Sequence, residues 1–308
     1  MYLFVINPRS GGGMGERAWR RAEECLKERQ VEYEALRTGS SEGAGREVER
    51  ALSRRESWTA CVVVGGDGTI HSVLPTLRSR GVPLGIIPAG SGNDTARGFG
   101  VPKQTEAALD IILGGSKTGA DLLVGAGPEE SEAATLTSVA CGFDAQVAVN
   151  VNAGWYKPLC NALHAGRLAY LIGILHTLMT YKPGRAVIVC DGKKHAFENV
   201  WLASVCNLPS YGGGLLIAPQ AKPEDGLLDV CVVHGCSRLQ VLRLFPTLLK
   251  GSHVSLPFVT MLRGRRAAVS FDESRPAIAD GEDLGGASPD VRCEPGALTV
   301  LTPRPGGD

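Results

Sequence analysis

Cys61–Ile70 reads CVVVGGDGTI, and this stretch decides the fold. The apolar run Cys61–Val64 stops at two glycines. Asp67, Gly68 and Thr69 follow, and then Ile70, Val73, Leu74 and Leu77 recur at helical spacing. The pattern is a buried strand, a tight turn and the start of a helix. Such a turn gathers backbone N–H groups and a helix N-terminus around one point, which suits phosphate. Gly65, Gly66 and Gly68 let a phosphate approach the backbone closely. Asp67 repels phosphate by itself, so a carboxylate here implies a cation between the two, most simply Mg²⁺. The plainer alternative is a βα turn whose Asp67 and Thr69 cap the next helix.

The chain on either side repeats the motif. Tyr2–Ile6 is an apolar strand broken by Asn7-Pro8-Arg9-Ser10-Gly11-Gly12-Gly13, and Ala18, Trp19, Ala22, Cys25 and Leu26 then mark one face of a helix. Val31–Leu36 reads as a strand and Glu42–Arg55 as a helix with Val48, Ala51 and Leu52 inward. Leu84–Ile87 is a further strand. It ends in Pro88-Ala89-Gly90-Ser91-Gly92-Asn93-Asp94, ahead of a helix from Thr95 and another over Thr105–Leu113. Strands alternating with helices through short loops predict a parallel, doubly wound sheet over residues 1–120. Ligands on such sheets bind where the βα loops gather, and three of these loops are glycine-rich. None is GxxxxGK[ST] or GxGxxG, which excludes a P-loop and a standard dinucleotide turn.

Beyond Ala120 the texture changes. Asp121–Val124, Thr135–Ala140, Arg185–Cys190, Asn199–Val205, Leu228–Val233, Ala267–Phe271 and Leu298–Leu301 read as strands, with Asp191-Gly192 a hairpin turn. Strand now follows strand, so residues 121–308 form a second, largely antiparallel domain, with helical insertions over Asn161–Thr180 and Arg238–Lys250. The tail Pro303–Asp308 is expected to fray.

Lys+Arg and Asp+Glu are both 32, so there is no basic excess to suggest nucleic acid as a partner. The nine cysteines lie mostly in apolar runs and form no CxxC pair, as expected of buried thiols in a cytoplasmic protein. The N-terminus lacks the features of a signal peptide. Leu159–Met179 is apolar but carries His164, Arg167 and His176, so it reads as an amphipathic or core helix rather than a membrane span.

Several stretches carry a family resemblance: Asn7-Pro8 with Ser10-Gly11, GGDGT at Gly65–Thr69, GSGNDTAR at Gly90–Arg97, GRLAY at Gly166–Tyr170, YGGGLLIAP at Tyr211–Pro219, EDGLLDV at Glu224–Val230 and DGE at Asp280–Glu282. In this order, and over nearly the whole chain, they resemble the bacterial diacylglycerol kinase-like lipid kinases, relatives of the sphingosine kinases. GGDGT is shared with NAD kinases and, in variant form, with phosphofructokinases; GSGNDTAR and EDGLLDV are more specific.

The resemblance implies an ATP-dependent kinase that phosphorylates a lipid hydroxyl, diacylglycerol foremost. It implies a NAD kinase-like nucleotide domain, a C-terminal β-sandwich, a cleft between them and a last segment that returns to the first domain. The enzyme would be cytoplasmic, would meet its lipid at the inner face of the membrane, and would form a homodimer as relatives suggest. Asn7, Ser10, Gly11, Gly12, Thr38, Gly90, Ser91 and Asn93 join the GGDGT residues as nucleotide contacts. Asp67 holds Mg²⁺. Glu282 is the general base, a role that burial would favour by raising its pKa, with Asp280 bracing it. Asp121 and Asp225 join a metal and water network, and the Leu215–Asp225 loop holds a second Mg²⁺. Thr69 either donates to phosphate or caps its helix, Asp94 caps the next helix, and Arg97 either pairs with Asp94 or is solvated. Some relatives carry a lysine in the first glycine loop. Here positive charge must come from Arg9, Arg17, Lys157 or Arg167. Trp155–Met179 and the floor of the β-domain would receive acyl chains. The rival readings are a NAD kinase and a non-catalytic nucleotide-binding module.

Overall fold

The computed structural model describes residues 1–39, 41–126, 132–153, 166–284 and 288–304. Lys157 and the stretch 154–165, with the tail from residue 305, lie outside them. The first strands are β1 (Tyr2–Ile6), β2 (Tyr33–Arg37), β3 (Ala60–Gly65) and β4 (Leu84–Pro88), joined through α1 (Ser10–Glu28), α2 (Ser41–Leu52) and α3 (Asp67–Arg80). They pair in parallel in the order β2-β1-β3-β4. β3 is buried along its whole length, because helices cover both faces of the sheet. The expected inward faces hold: Trp19, Ala22, Leu26, Val48, Ala51 and Leu52 are all buried. α4 (Asp94–Gly98) and α5 (Thr105–Gly114) complete the layer.

The second half is built on β5 (Ser116–Ala126), β6 (Glu132–Thr135), β7 (Ser138–Gly142), β8 (Gly184–Cys190) and β9 (Lys193–Cys206), with α6 (Phe143–Ala153) and α7 (Gly166–Thr180) between β7 and β8. β10 (Ser210–Tyr211), β11 (Leu215–Leu216), β12 (Leu228–His234), α8 (Arg238–Leu248), β13 (Val259–Gly264), β14 (Arg266–Phe271), β15 (Ala277–Ala279), β16 (Glu282–Asp283) and β17 (Asp290–Thr302) follow. The N-terminal half of β9 pairs with β8 through the Asp191-Gly192 turn, both of whose residues have positive φ. Its C-terminal half lies between β7 and β12. All these pairings are antiparallel. α6 had no clear signal in the sequence.

The expected single strand Thr135–Ala140 is two strands. The backbone N–H groups of Leu136, Thr137 and Ser138 turn onto the buried carboxylate of Asp280, at 3.0, 2.8 and 3.1 Å, and this breaks the ladder between β6 and β7.

β17 joins the halves. It pairs antiparallel with β5 from Val291 opposite Gly125 to Thr302 opposite Ser116, and Val300 also lies opposite Leu84 of β4 in parallel. Leu298, Val300 and Leu301 belong to the core under the parallel sheet, while Val291 belongs to the core of the β-domain. The last strand is therefore shared. A bulge between Glu294 and Leu298 lets it bend from one core to the other.

Asp121 secures that bend. Its buried carboxylate accepts the N–H groups of Gly296 at 2.8 Å and Gly226 at 2.7 Å. Asp121→Ala would remove two hydrogen bonds that hold the Gly226 and Gly296 amides at the bend, a loss of about 1–3 kcal/mol. Urea unfolding checks this, and an unchanged midpoint would remove Asp121 from the junction.

Candidate functional site: an interdomain cleft

The three glycine loops meet backbone to backbone. A Cβ built on Gly66 would lie 2.9 Å from the Gly90 Cα, and one on Gly11 would lie 2.5 Å from the Ala89 carbonyl oxygen. Gly11, Gly12 and Gly13 all have positive φ, so the first loop runs left-handed and α1 winds regularly only after it. Asn7 crosses between loops: its amide donates to the Thr69 hydroxyl at 3.0 Å and its oxygen accepts the Arg9 N–H. The Thr38 hydroxyl is buried and donates to the Ile6 carbonyl, which binds the end of β2 to β1. Ser10 faces Gly66, and Ser91 is exposed at the tip of the third loop. Asn93 closes that loop on itself, accepting from the Gly90 N–H and donating to the Gly90 carbonyl. The Arg17 guanidinium lies 4.0 Å from a Cβ built on Gly13, and Arg9, within the first loop, is exposed.

The helix-capping expectations change. α3 starts at Gly66 with no side-chain cap, so neither Asp67 nor Thr69 caps it. Asp67 instead caps α4: its carboxylate accepts the N–H groups of Asp94 at 3.2 Å and Thr95 at 3.0 Å. Asp94 is thus not a cap. It is buried, pairs with Arg97 and accepts the Gly213 N–H at 2.7 Å, which ties α4 to the YGGG loop of the β-domain. Burial, with the Asp67 charge beside it, pushes the Asp94 pKa up against the pull of Gly213 and Arg97.

Asp67 and Asp94 line a cleft of about 200 Å³ whose other walls come from the β-domain, including Thr137, Asp144, Tyr211 and Asp280. A Cβ built on Gly92 would stand 3.1 Å from an oxygen of each of Asp67 and Asp94, so the two carboxylates converge on the same side of Gly92. This donor set fits a Mg²⁺ ion shared with phosphate oxygens, since Mg²⁺ needs only one or two carboxylates when phosphate completes its shell. It does not amount to a protein-only cage: among the described residues no group of three or more His, Cys, Asp or Glu could hold a metal.

Glu282 comes from the far side of the cleft. Its Oε1 lies 3.3 Å from a Cβ built on Gly68, so the carboxylate meets the N-terminus of α3 next to Asp67. It is exposed on β16, not partly buried as expected. Asp280 braces this hairpin through the three N–H groups already described and through His71, whose Nδ1 is 3.1 Å away. Asp121 and Asp225 do not line the cleft. Asp225 pairs with Arg263 and accepts the Leu227 N–H, and Leu215 sits on an apolar wall.

That wall belongs to a pocket the sequence did not resolve. Phe143 and Val147 of α6, Ile174 of α7, Leu202, Leu215 and one face of α8 line it. Asp144, Tyr211 and Gly212 are common to the cleft and this pocket. Asp144 is buried and accepts from the Tyr211 and Ser204 hydroxyls, and burial pushes its pKa up. A lone acid in the apolar run CGFDAQVAV was the signal available in the sequence.

A glycine-lined edge of a parallel sheet, facing a cleft rich in carboxylates, is suited to phosphate groups and a divalent cation. Residues 1–124 match the family described as "Diacylglycerol kinase catalytic domain", and residues 137–302 match "YegS C-terminal NAD kinase beta sandwich-like domain". The chain is 36% identical over 306 residues to a diacylglycerol kinase of Mycobacterium tuberculosis, covering 98% of this chain and 95% of that one. It is 26% identical over 239 residues to a diacylglycerol kinase of Bacillus subtilis, covering 74% and 72%. A crystal structure of a diacylglycerol kinase from Bacillus anthracis superposes with a TM-score of 0.70 at 17% identity, covering 98% and 96%. The chain belongs to the diacylglycerol kinase-like lipid kinase family, and kinases of this family use ATP. Among the described residues no helix is long and apolar enough to cross a membrane.

The His71–Asp280 pair titrates. Burial opposes a charged His71, but the hydrogen bond and charge of Asp280 outweigh it and raise the pKa. Burial likewise opposes a charged Asp280, but His71 and the Leu136 and Thr137 N–H groups lower its pKa. The raised His71 contributes stability fully below about 6.5, the unfolded value, and loses it as pH rises through the folded pKa. The lowered Asp280 contributes stability above about 3.9 and loses it as pH falls through its folded pKa. His71→Gln should therefore destabilise more at pH near 5.5 than near 8.5. Urea midpoints at the two pH values check this, and equal losses would break the pairing.

Proposed function

We propose that the protein transfers the γ-phosphate of ATP to the hydroxyl of diacylglycerol, giving ADP and phosphatidic acid. The single observation that carries this reading is the continuity of the acid-lined cleft with the apolar pocket through Asp144, Tyr211 and Gly212. An alcohol on an acyl-chain lipid needs both surroundings within one molecule's length: a polar site for the hydroxyl and a dry one for the chains. A NAD kinase would need a polar acceptor site for its dinucleotide, and the apolar lining of α6 and α8 disfavours that rival.

The residues divide the work as phosphoryl transfer requires, which is mostly positioning and charge neutralisation. Backbone N–H groups of the Gly11–Gly13 and Gly65–Gly68 loops, with the N-terminus of α3, receive the phosphates. Asp67 and Asp94 would hold Mg²⁺, which when bound neutralises phosphate charge. Glu282 takes the acceptor's proton as the acceptor oxygen bonds to phosphorus and the bond to the ADP oxygen breaks. In the substrate complex, the α3 N-terminus and Asp280 hold that glutamate over the phosphate site.

The test is radiolabelled ATP with a panel of lipid alcohols and NAD in mixed micelles. Glu282→Gln should lower kcat/KM on the order of 10²–10⁴-fold, the usual scale for a lost general base. Asp67→Asn should also lose activity, with Mg²⁺ no longer relieving the loss. Full activity of Glu282→Gln would displace the base, and label on NAD with none on any lipid would overturn the lipid reading.

A further inference from the structure

Beyond the site itself, the two helices that wall the apolar pocket carry apolar residues on their outer sides as well. On α7, Ile172, Leu175 and Met179 recur at helical spacing and are exposed, Met179 by 73%. Along α8 and just past its end, Leu239, Leu242 and Leu249 do the same, Leu249 by 66%, with exposed Pro246 completing the stripe. The inner sides of the same helices, Ile174 on one and Val241, Leu244 and Leu248 on the other, line the pocket. The helices touch: Arg238 of α8 donates to the carbonyls of Leu178 and Tyr181 at the end of α7. Two adjacent stripes of large apolar side chains on one face exceed the scattered exposure usual on a soluble surface.

Charge along these two segments of the chain is one-sided. The chain as a whole balances 32 basic against 32 acidic residues, yet no acid occurs between Asp144 and Asp191 or between Asp229 and Asp272. Every charged residue in those two stretches is Lys or Arg. Lys182 follows α7, and Arg243 and Lys250 flank the α8 stripe, all three exposed. Apolar side chains edged by basic ones, with no acid among them, complement a surface whose interior is hydrocarbon and whose headgroups are anionic.

We infer that the outer flanks of α7 and α8 form a docking surface for an anionic lipid bilayer, placing the acceptor pocket at the membrane. The inference rests on the lipid kinase reading for its purpose, but not for its test. The full-length protein is sedimented with phosphatidylcholine vesicles, with and without phosphatidylglycerol. Alongside, phosphorylation of dioctanoylglycerol is measured below its aggregation limit, where no bilayer is involved. Binding is expected only when phosphatidylglycerol is present, and it should weaken with salt. Arg243→Gln and Lys250→Gln should each weaken it on the order of fivefold, the worth of one basic charge near an anionic surface. Leu242→Glu with Leu249→Glu should abolish binding yet leave phosphorylation of the dissolved acceptor and the melting temperature unchanged. Vesicle binding that survives the double glutamate variant, or that ignores phosphatidylglycerol, would overturn the inference. So would a solution dimer that the same variant splits, because a second copy would then cover this face. Wild type that docks yet phosphorylates no lipid would leave the surface standing and remove only the kinase reading.

Discussion

The structure depends on a contact that only glycine allows. Gly66 and Gly90 press backbone against backbone at a separation where any side chain would collide, and Gly11 meets Ala89 just as closely. Three successive βα loops are thereby gathered at one point on the sheet edge, where ligands of parallel sheets bind. The approach leaves little room for side chains between the loops. The first loop runs left-handed through Gly11–Gly13, and the loops contribute Asp67 and Asp94 to the cleft. A single added methyl at Gly66 or Gly90 would force the loops apart.

Asp67 shows how one carboxylate of the cleft also sets the architecture around it. Its oxygens accept the first N–H groups of α4, so the GGDGT loop fixes where the GSGNDTAR helix begins. α4 then places Asp94 against the YGGG loop of the other half. On the opposite wall Asp280, held at positive φ, gathers three amides and His71, and so carries Glu282 to the start of α3. The cleft is closed at both ends by buried carboxylates that reach across it. A carboxylate with all its partners in place is rigid, and one that loses a partner is left charged and buried. Both domains must therefore dock correctly before the site exists.

Legibility followed the range of the interactions. The parallel domain could be read because each of its elements states its own period: β3 as a continuous apolar run, α1 and α2 as amphipathic helices, and each loop as glycine. Asp67 could be placed in the cleft because it sits inside such a loop. The partner of Asp94 could not be read, because local chemistry favours capping and the observed contact is the distant Gly213 amide. The break between β6 and β7 was hidden for the same reason: its cause, Asp280, is far away in sequence. Glu282 was found only through resemblance to a family, since an acid at a turn looks like any solvent-facing loop. Asp144 and the inner face of α8 were missed because their meaning appears only when α6, β9, β11 and α8 close around one pocket.

The junction of cleft and pocket sets the polarity an acceptor must match. Asp144, Ser204 and Tyr211 bring three oxygens together, Ser204 and Tyr211 at 2.6 Å and Ser204 and Asp144 at 3.1 Å, with phenylalanine, leucine and valine on the pocket side. Burial raises the pKa of both Asp144 and Tyr211, which favours their neutral forms. The three oxygens satisfy one another, so the junction presents a closed hydrogen-bonded cluster while the wall beside it is apolar. The cluster therefore separates two solvents inside one enzyme. On one side stand the carboxylates of Asp67 and Asp94; on the other the pocket is lined by apolar side chains. An uncharged alcohol with long apolar chains is the kind of molecule that can lie across that boundary without leaving a charge unpaired.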